Sequence, residues 1–122
     1  MSKSSTITDD VDPNFRRLPP LHPGEVLREE FLTPLDLSPY ALAKAIGVPR
    51  TRIERIAREE TSLTADTALR LSRYFGTTAE FWMNLQTHFE LECARRGLKS
   101  KLRKIVPMPR ADLKHVDLDA AE

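Results

Sequence analysis

Residues 38–58 read SPYALAKAIGVPRTRIERIAR. These are two short amphipathic segments hinged on one glycine, and they narrow the possible folds more than any other stretch of the chain. Ser38 suits a helix N-cap, and Pro39 suits the first turn, where a backbone N–H has no partner within the helix. Leu42, Ala43 and Ile46 fall on one face. Gly47 tolerates the positive φ that ends a helix. A second helix is expected from about Pro49 to Arg58, with Ile53, Ile56 and Ala57 turned inward. Helices crossing at ~90–120° after a turn of three or four residues come very close together. Ala43 is small enough to permit that approach, and Val48 plugs the angle. The pattern predicts a helix-turn-helix.

With Ile53 and Ile56 inward, the step of ~100° per residue aims Thr51, Arg55 and Arg58 at solvent. Arg52 and Glu54 flank them, and Arg50 stands at the N-terminus, where recognition helices meet base edges. Arginine can grip guanine bidentately in the major groove, and threonine can touch a thymine methyl. Tyr40, Lys44 and the region of Ser38 are placed to meet phosphates. The candidate DNA-binding set is therefore Ser38, Tyr40, Lys44, Arg50, Thr51, Arg52, Arg55 and Arg58. A plain helical hairpin with a solvated basic face shares the spacing. Seven matching small or apolar positions, with four arginines around the outward face, favour DNA.

The rest of the chain reads as all-α. A first helix is expected over 23–32, with Pro23 at its start, Val26, Leu27 and Phe31 as its apolar stripe, and Pro34 forcing the exit. A fourth follows Thr64 and buries Ala68, Leu69, Leu71 and Phe75 before Gly76. A fifth opens with Thr77 and Glu80 at capping-box spacing and carries Phe81, Trp82, Leu85, Phe89 and Cys93 up to Gly97. This divides the chain into a flexible arm (1–20), a five-helix DNA-binding domain (21–97) and a basic-then-acidic tail (98–122).

The net charge is only +1, so charge distribution carries the argument. Lys44, Arg50, Arg52, Arg55 and Arg58 stand against Glu54 alone. Six further basic residues lie between Arg95 and Lys104, while Asp9, Asp10 and Asp12 crowd one end and Asp112, Asp117, Asp119 and Glu122 the other. Cys93 is the only cysteine, which excludes an intrachain disulfide and suits a reducing cytoplasm. No apolar run approaches the ~20 residues of a membrane span, and residues 1–12 lack a signal-peptide core.

Other sites are weaker. His22, with Glu25 three residues on, is expected to shape the start of the first helix. His88, Glu92 and Cys93 on neighbouring turns make a poor zinc site without a second cluster. Phe81, Trp82 and Phe89 form an aromatic stripe for the core, part of it available to a second protomer. No nucleophile–base set, phosphate loop or paired-Cys motif appears, so neither an enzyme nor a cofactor is expected.

The motif resembles the helix-turn-helix of phage-repressor-like regulators, the lambda repressor and Cro type. Its flanks sharpen the likeness. His22-Pro23-Gly24-Glu25-Val26-Leu27, Glu30-Phe31-Leu32, Leu63-Thr64-Ala65-Asp66 and Phe81-Trp82-Met83-Asn84-Leu85-Gln86 together resemble the HigA/VapI family of antitoxins, over about residues 21–91. The resemblance implies a homodimer that represses its own operon and binds a HigB toxin, a RelE-like ribonuclease that cleaves mRNA. Pro39 stands where many relatives place a glutamine that can contact the DNA backbone. Arg58-Glu59-Glu60 stands where many have an Asn-Gly turn. A stand-alone repressor of the same fold, or a module whose basic helix faces an acidic protein, are the alternatives.

Overall fold

In a computed structural model, residues 19–109 are described, and their order is helix after helix: α1 (Pro23–Val26, continuing as a π-helical segment Leu27–Leu32), α2 (Pro39–Ile46), α3 (Arg50–Ala57), α4 (Ala65–Phe75) and α5 (Ala79–Arg103). There is no strand among the described residues. The expected arm, up to residue 18, and the acidic tail, from residue 110, lie outside them. Among the described residues, no helix is long and apolar enough to cross a membrane.

The helix starts follow from local chemistry. His22 caps α1, its ring Nδ1 accepting from the Gly24 N–H at 2.8 Å. Ser38 caps α2 and Thr64 caps α4. For α5 the sequence names the wrong threonine. Thr78 is the cap, accepting from Phe81 N–H, while the Thr77 hydroxyl accepts from the Trp82 indole N–H at 2.7 Å. The indole lies wholly inside the core, and its one polar atom needs a partner there.

The π-helical segment of α1 is not readable from the apolar spacing. In an α-helix, Leu27 and Leu32 would point roughly 140° apart. The wider turn, marked by Thr33 N–H bonding to Arg28 O at 3.0 Å, brings both into the core. The core is built from Leu27, Leu32, Leu42, Ala43, Ile46, Ile53, Ile56, Ala57, Leu63, Ala68, Leu71 and Trp82, with Phe31 and Phe75 packed against it. Phe31 touches both Phe75 and Trp82, with ring centroids 4.6 and 5.1 Å apart.

Three further expectations are corrected. Leu69 is 60% exposed on the outer face of α4, and Thr67 is the buried residue instead. Cys93 is exposed rather than packed. Gly97 does not end α5, which runs on to Arg103; the place its Cβ would take is open, and a glycine costs a helix only about 1 kcal/mol.

Candidate nucleic-acid interface

Helices α2 and α3 meet as the sequence predicts. Gly47 takes φ +73° and ends α2, and the Val48 N–H reaches back to Ala43 O at 3.0 Å. Ala43 is buried at the crossing, and Val48 packs against the core. Ile53, Ile56 and Ala57 are buried beneath α3. With that face pinned, Thr51, Arg55 and Arg58 are exposed, as are Tyr40 and Lys44 on α2, one helical turn apart. Among the described residues, no ion pair involves Arg55, Arg58 or Lys44.

The flanking arginines differ. Arg50 pairs with Glu54 at 3.3 Å, and Arg52 pairs with Asp66 of α4 at 2.8 Å. Ser38 and Arg58, far apart in sequence, line one cleft of about 550 Å³ together with Arg28, Pro39 and Glu54. The Ser38 hydroxyl accepts from the Ala41 N–H at 3.0 Å inside the first turn of α2.

Two arginines outside the motif hold its helix ends. Arg70 of α4 donates to the carbonyls of Ile46 and Gly47, at 2.7 and 3.3 Å, where α2 ends. Arg28 of α1 donates to the Ala57 carbonyl, where α3 ends, and pairs with Glu59 at 3.1 Å. Each places a cation at the negative end of a helix dipole and satisfies a carbonyl left without an intrahelical donor. Donation to the Glu29 carboxylate raises the Arg28 pKa still further, partly offset by desolvation and supported by donation to the Glu59 carboxylate. Gly24 completes the clamp. It is buried, and a Cβ there would collide with the Ile56 carbonyl, so α1 lies directly on the end of α3.

His22 acts in the same joint. It is 3% exposed, its ring meeting Phe89 edge-on at 4.7 Å. Burial lowers its pKa below 6.5, against raising effects from Glu59 and a backbone hydrogen bond with Thr61. Its role is structural, as the sequence suggests. Gln86, buried on α5, accepts from Leu63 N–H and donates to Glu90, both at 2.8 Å, which fastens the loop after α3. No group of three potential metal ligands forms among the described residues.

A family model described as Helix-turn-helix matches residues 27–82. Virulence-associated protein I of Dichelobacter nodosus is 48% identical over 101 residues, covering 83% of this chain and 92% of that one. Antitoxin HigA-1 of Vibrio cholerae is 34% identical, covering 73% and 84%. The chain belongs to the HigA/VapI family of helix-turn-helix antitoxins. A solved structure of the Pseudomonas aeruginosa antitoxin HigA with higBA promoter superposes with a TM-score of 0.71, at 46% identity, covering 73% of this chain and 98% of that one.

The turn after α3 passes through Glu59 at φ +65°. Glu59 N–H bonds to Ile56 O at 2.9 Å, and Glu60 N–H to Arg55 O at 2.8 Å, the paired bonds of a Schellman ending. The turn keeps its left-handed geometry without glycine, and Arg28 holds the Glu59 side chain. Neither Arg28 nor Gly24 stands out in the sequence as part of the interface. The signal that could have found Gly24 is its place in the first turn of a helix already opened by proline, a position where glycine gives the helix no advantage.

Proposed function

We propose that this chain is the antitoxin of a type II toxin–antitoxin pair, of the HigBA kind, which sets α3 into the major groove of its own operator. The observation carrying the reading is the exposed row Thr51, Arg55 and Arg58 on a helix whose other face is fixed in the core. The relative from Pseudomonas aeruginosa, similar in sequence and in fold, is a HigA with its higBA promoter. In this reading Thr51 and Arg55 read base edges, together with Arg50 at the helix start. Ser38, Tyr40, Lys44 and Arg58 serve as phosphate contacts, with Arg52 at the rim of the same face, paired to Asp66.

One recognition helix reads few base pairs, and a two-fold dimer supplies a second at a spacing of about 10–10.5 base pairs. The surface for it is on α5. Leu91, Leu98, Leu102 and Ile105 are 41–65% exposed. They follow one stripe of α5 and its continuation, with Leu98 roughly 160° around from Trp82. This shifts the interface from the Phe81–Cys93 stretch to the face of α5 opposite Trp82 and toward its C-terminal end, because Trp82 is fully engaged in its own core. Repression follows from occupying the promoter.

Toxin neutralisation is assigned to surfaces away from α3. A ribonuclease that grips RNA presents a basic face, and Asp9, Asp10 and Asp12, or Asp112, Asp117 and Asp119, complement it. The test has two arms. The duplex upstream of the gene should bind in preference to a scrambled duplex, with affinity falling steeply with salt, and the product of the adjacent gene should co-purify. Deleting residues 1–20 and 106–122 should then weaken the toxin complex. Equal binding of scrambled DNA overturns the operator reading. A complex unchanged by both deletions assigns the toxin to the folded helices.

A further inference from the structure

The row of arginines along α3 is not uniform. Arg55 and Arg58, at the middle of the exposed face, pair with no acid among the described residues, whereas Arg52, at its edge, does. Its partner Asp66 opens α4 and is exposed. The Asp66 carboxylate takes Arg52 Nη1 on one oxygen and Arg70 Nε on the other, both at 2.8 Å. Arg70 is fixed further by its bonds to Ile46 O and Gly47 O at the end of α2. A single carboxylate thus sits between two guanidinium groups, one anchored to the body of the motif and one at the rim of the DNA-facing helix. This is the arrangement a phosphate oxygen pair would occupy.

We propose that Asp66 is a specificity-determining residue: it holds Arg52 in place of a DNA phosphate, so that Arg52 adds little to binding of arbitrary duplex. The proposal rests on α3 being the DNA-reading helix. Sequence-independent affinity comes from cations that displace counterions from the phosphate backbone. An arginine already neutralised by its own carboxylate releases none unless the pair opens. Arg55 and Arg58 carry no such charge partner and contribute in full. The electrostatic term is thereby concentrated on Arg55 and Arg58 at the C-terminal end of α3, where Arg55 also requires a matching base edge. The pKa of Asp66 is lowered, first by Arg70 and then by Arg52, so the carboxylate is charged at neutral pH.

The test compares wild type, Asp66→Asn, Arg52→Gln and Glu60→Gln on operator and scrambled duplexes across a salt series. Asp66→Asn should tighten scrambled-duplex binding by about two- to fivefold, the range expected for freeing one exposed pair. It should also steepen the slope of log K against log salt by about 0.9, one added phosphate contact. The operator-to-scrambled ratio should fall. Arg52→Gln should change the scrambled-duplex slope by much less than that, since its charge is already spent on Asp66. Glu60→Gln removes an exposed carboxylate in the turn after α3 that has no ion pair with a described residue, and should give a smaller gain. Equal gains for Asp66→Asn and Glu60→Gln mean a general charge effect and overturn the proposal. So does an unchanged slope in an Asp66→Asn protein whose melting curve matches wild type. A wild-type protein that does not distinguish operator from scrambled duplex contradicts the DNA-reading assignment itself, and is read separately.

Discussion

Replacing Gly24 with alanine should weaken the protein at the joint that orients α3. The added Cβ would overlap the Ile56 carbonyl oxygen, and would lie 2.8 Å from the Ile56 carbonyl carbon and 3.0 Å from His22 Nδ1. The first two are backbone atoms of the helix that bears the exposed arginines, so a rotamer change cannot relieve the clash. Either α1 lifts or α3 moves. Overpacking of this kind costs about 1–3 kcal/mol, while alanine in a helix returns about 0.5–1 kcal/mol. The net is a loss of up to about 2.5 kcal/mol, or a fall in Tm of up to roughly 10–20 °C for a domain this size. Gly97→Ala is the matched control. Nothing lies within 4 Å of the position its Cβ would take, and it should stabilise α5 by about 0.5–1 kcal/mol. Thermal melts followed by circular dichroism, paired with operator binding, read both. A Gly24→Ala protein that melts as high as Gly97→Ala, with operator affinity intact, would refute the close approach of α1 to α3.

Ala43→Leu should cost about 1–3 kcal/mol by overpacking the crossing of α2 and α3, with operator affinity falling more than helicity; full binding would mean that the crossing lies elsewhere. For His22 the sign follows from burial. Its folded pKa lies below 6.5, so the unfolded chain takes up the proton first and stability falls as pH drops below about 6.5. His22→Asn keeps a capping acceptor and should flatten the dependence of Tm on pH between about 5 and 7, whereas an unaltered profile would assign the titration to another group.

The helix-turn-helix was legible because each of its parts has a local cause. Ser38 and Pro39 start α2, Gly47 ends it, Ala43 permits the crossing, and the 3.6-residue period of Ile53 and Ile56 sets the face. What the sequence hides depends on contacts between distant residues. Leu69 belongs to an apolar-looking stretch of α4, yet no element among the described residues covers it. Choosing between Thr77 and Thr78 as the cap needs knowledge of where the Trp82 indole lies. The π-helical segment in α1 appears only when Leu27 and Leu32 must both reach one core. In the candidate interface, the helical wheel places Arg50 and Arg52 correctly at the flanks of α3, but it does not show that Glu54 and Asp66 already neutralise them. The Arg28 and Arg70 caps cross 29 and 24 residues of sequence, beyond the reach of any local pattern.

The central claim is that the exposed face of α3 reads base pairs, and Arg55 is its most direct test. The measurement is the affinity of wild type and Arg55→Ala for the operator and for a set of operators substituted one base pair at a time. Arg55→Ala should lose about 1–3 kcal/mol on the native operator, and should become indifferent to substitution at one position while keeping the wild-type response at the others. An Arg55→Ala protein with wild-type affinity and an unchanged profile across every position would contradict the assignment of α3 as the reading helix.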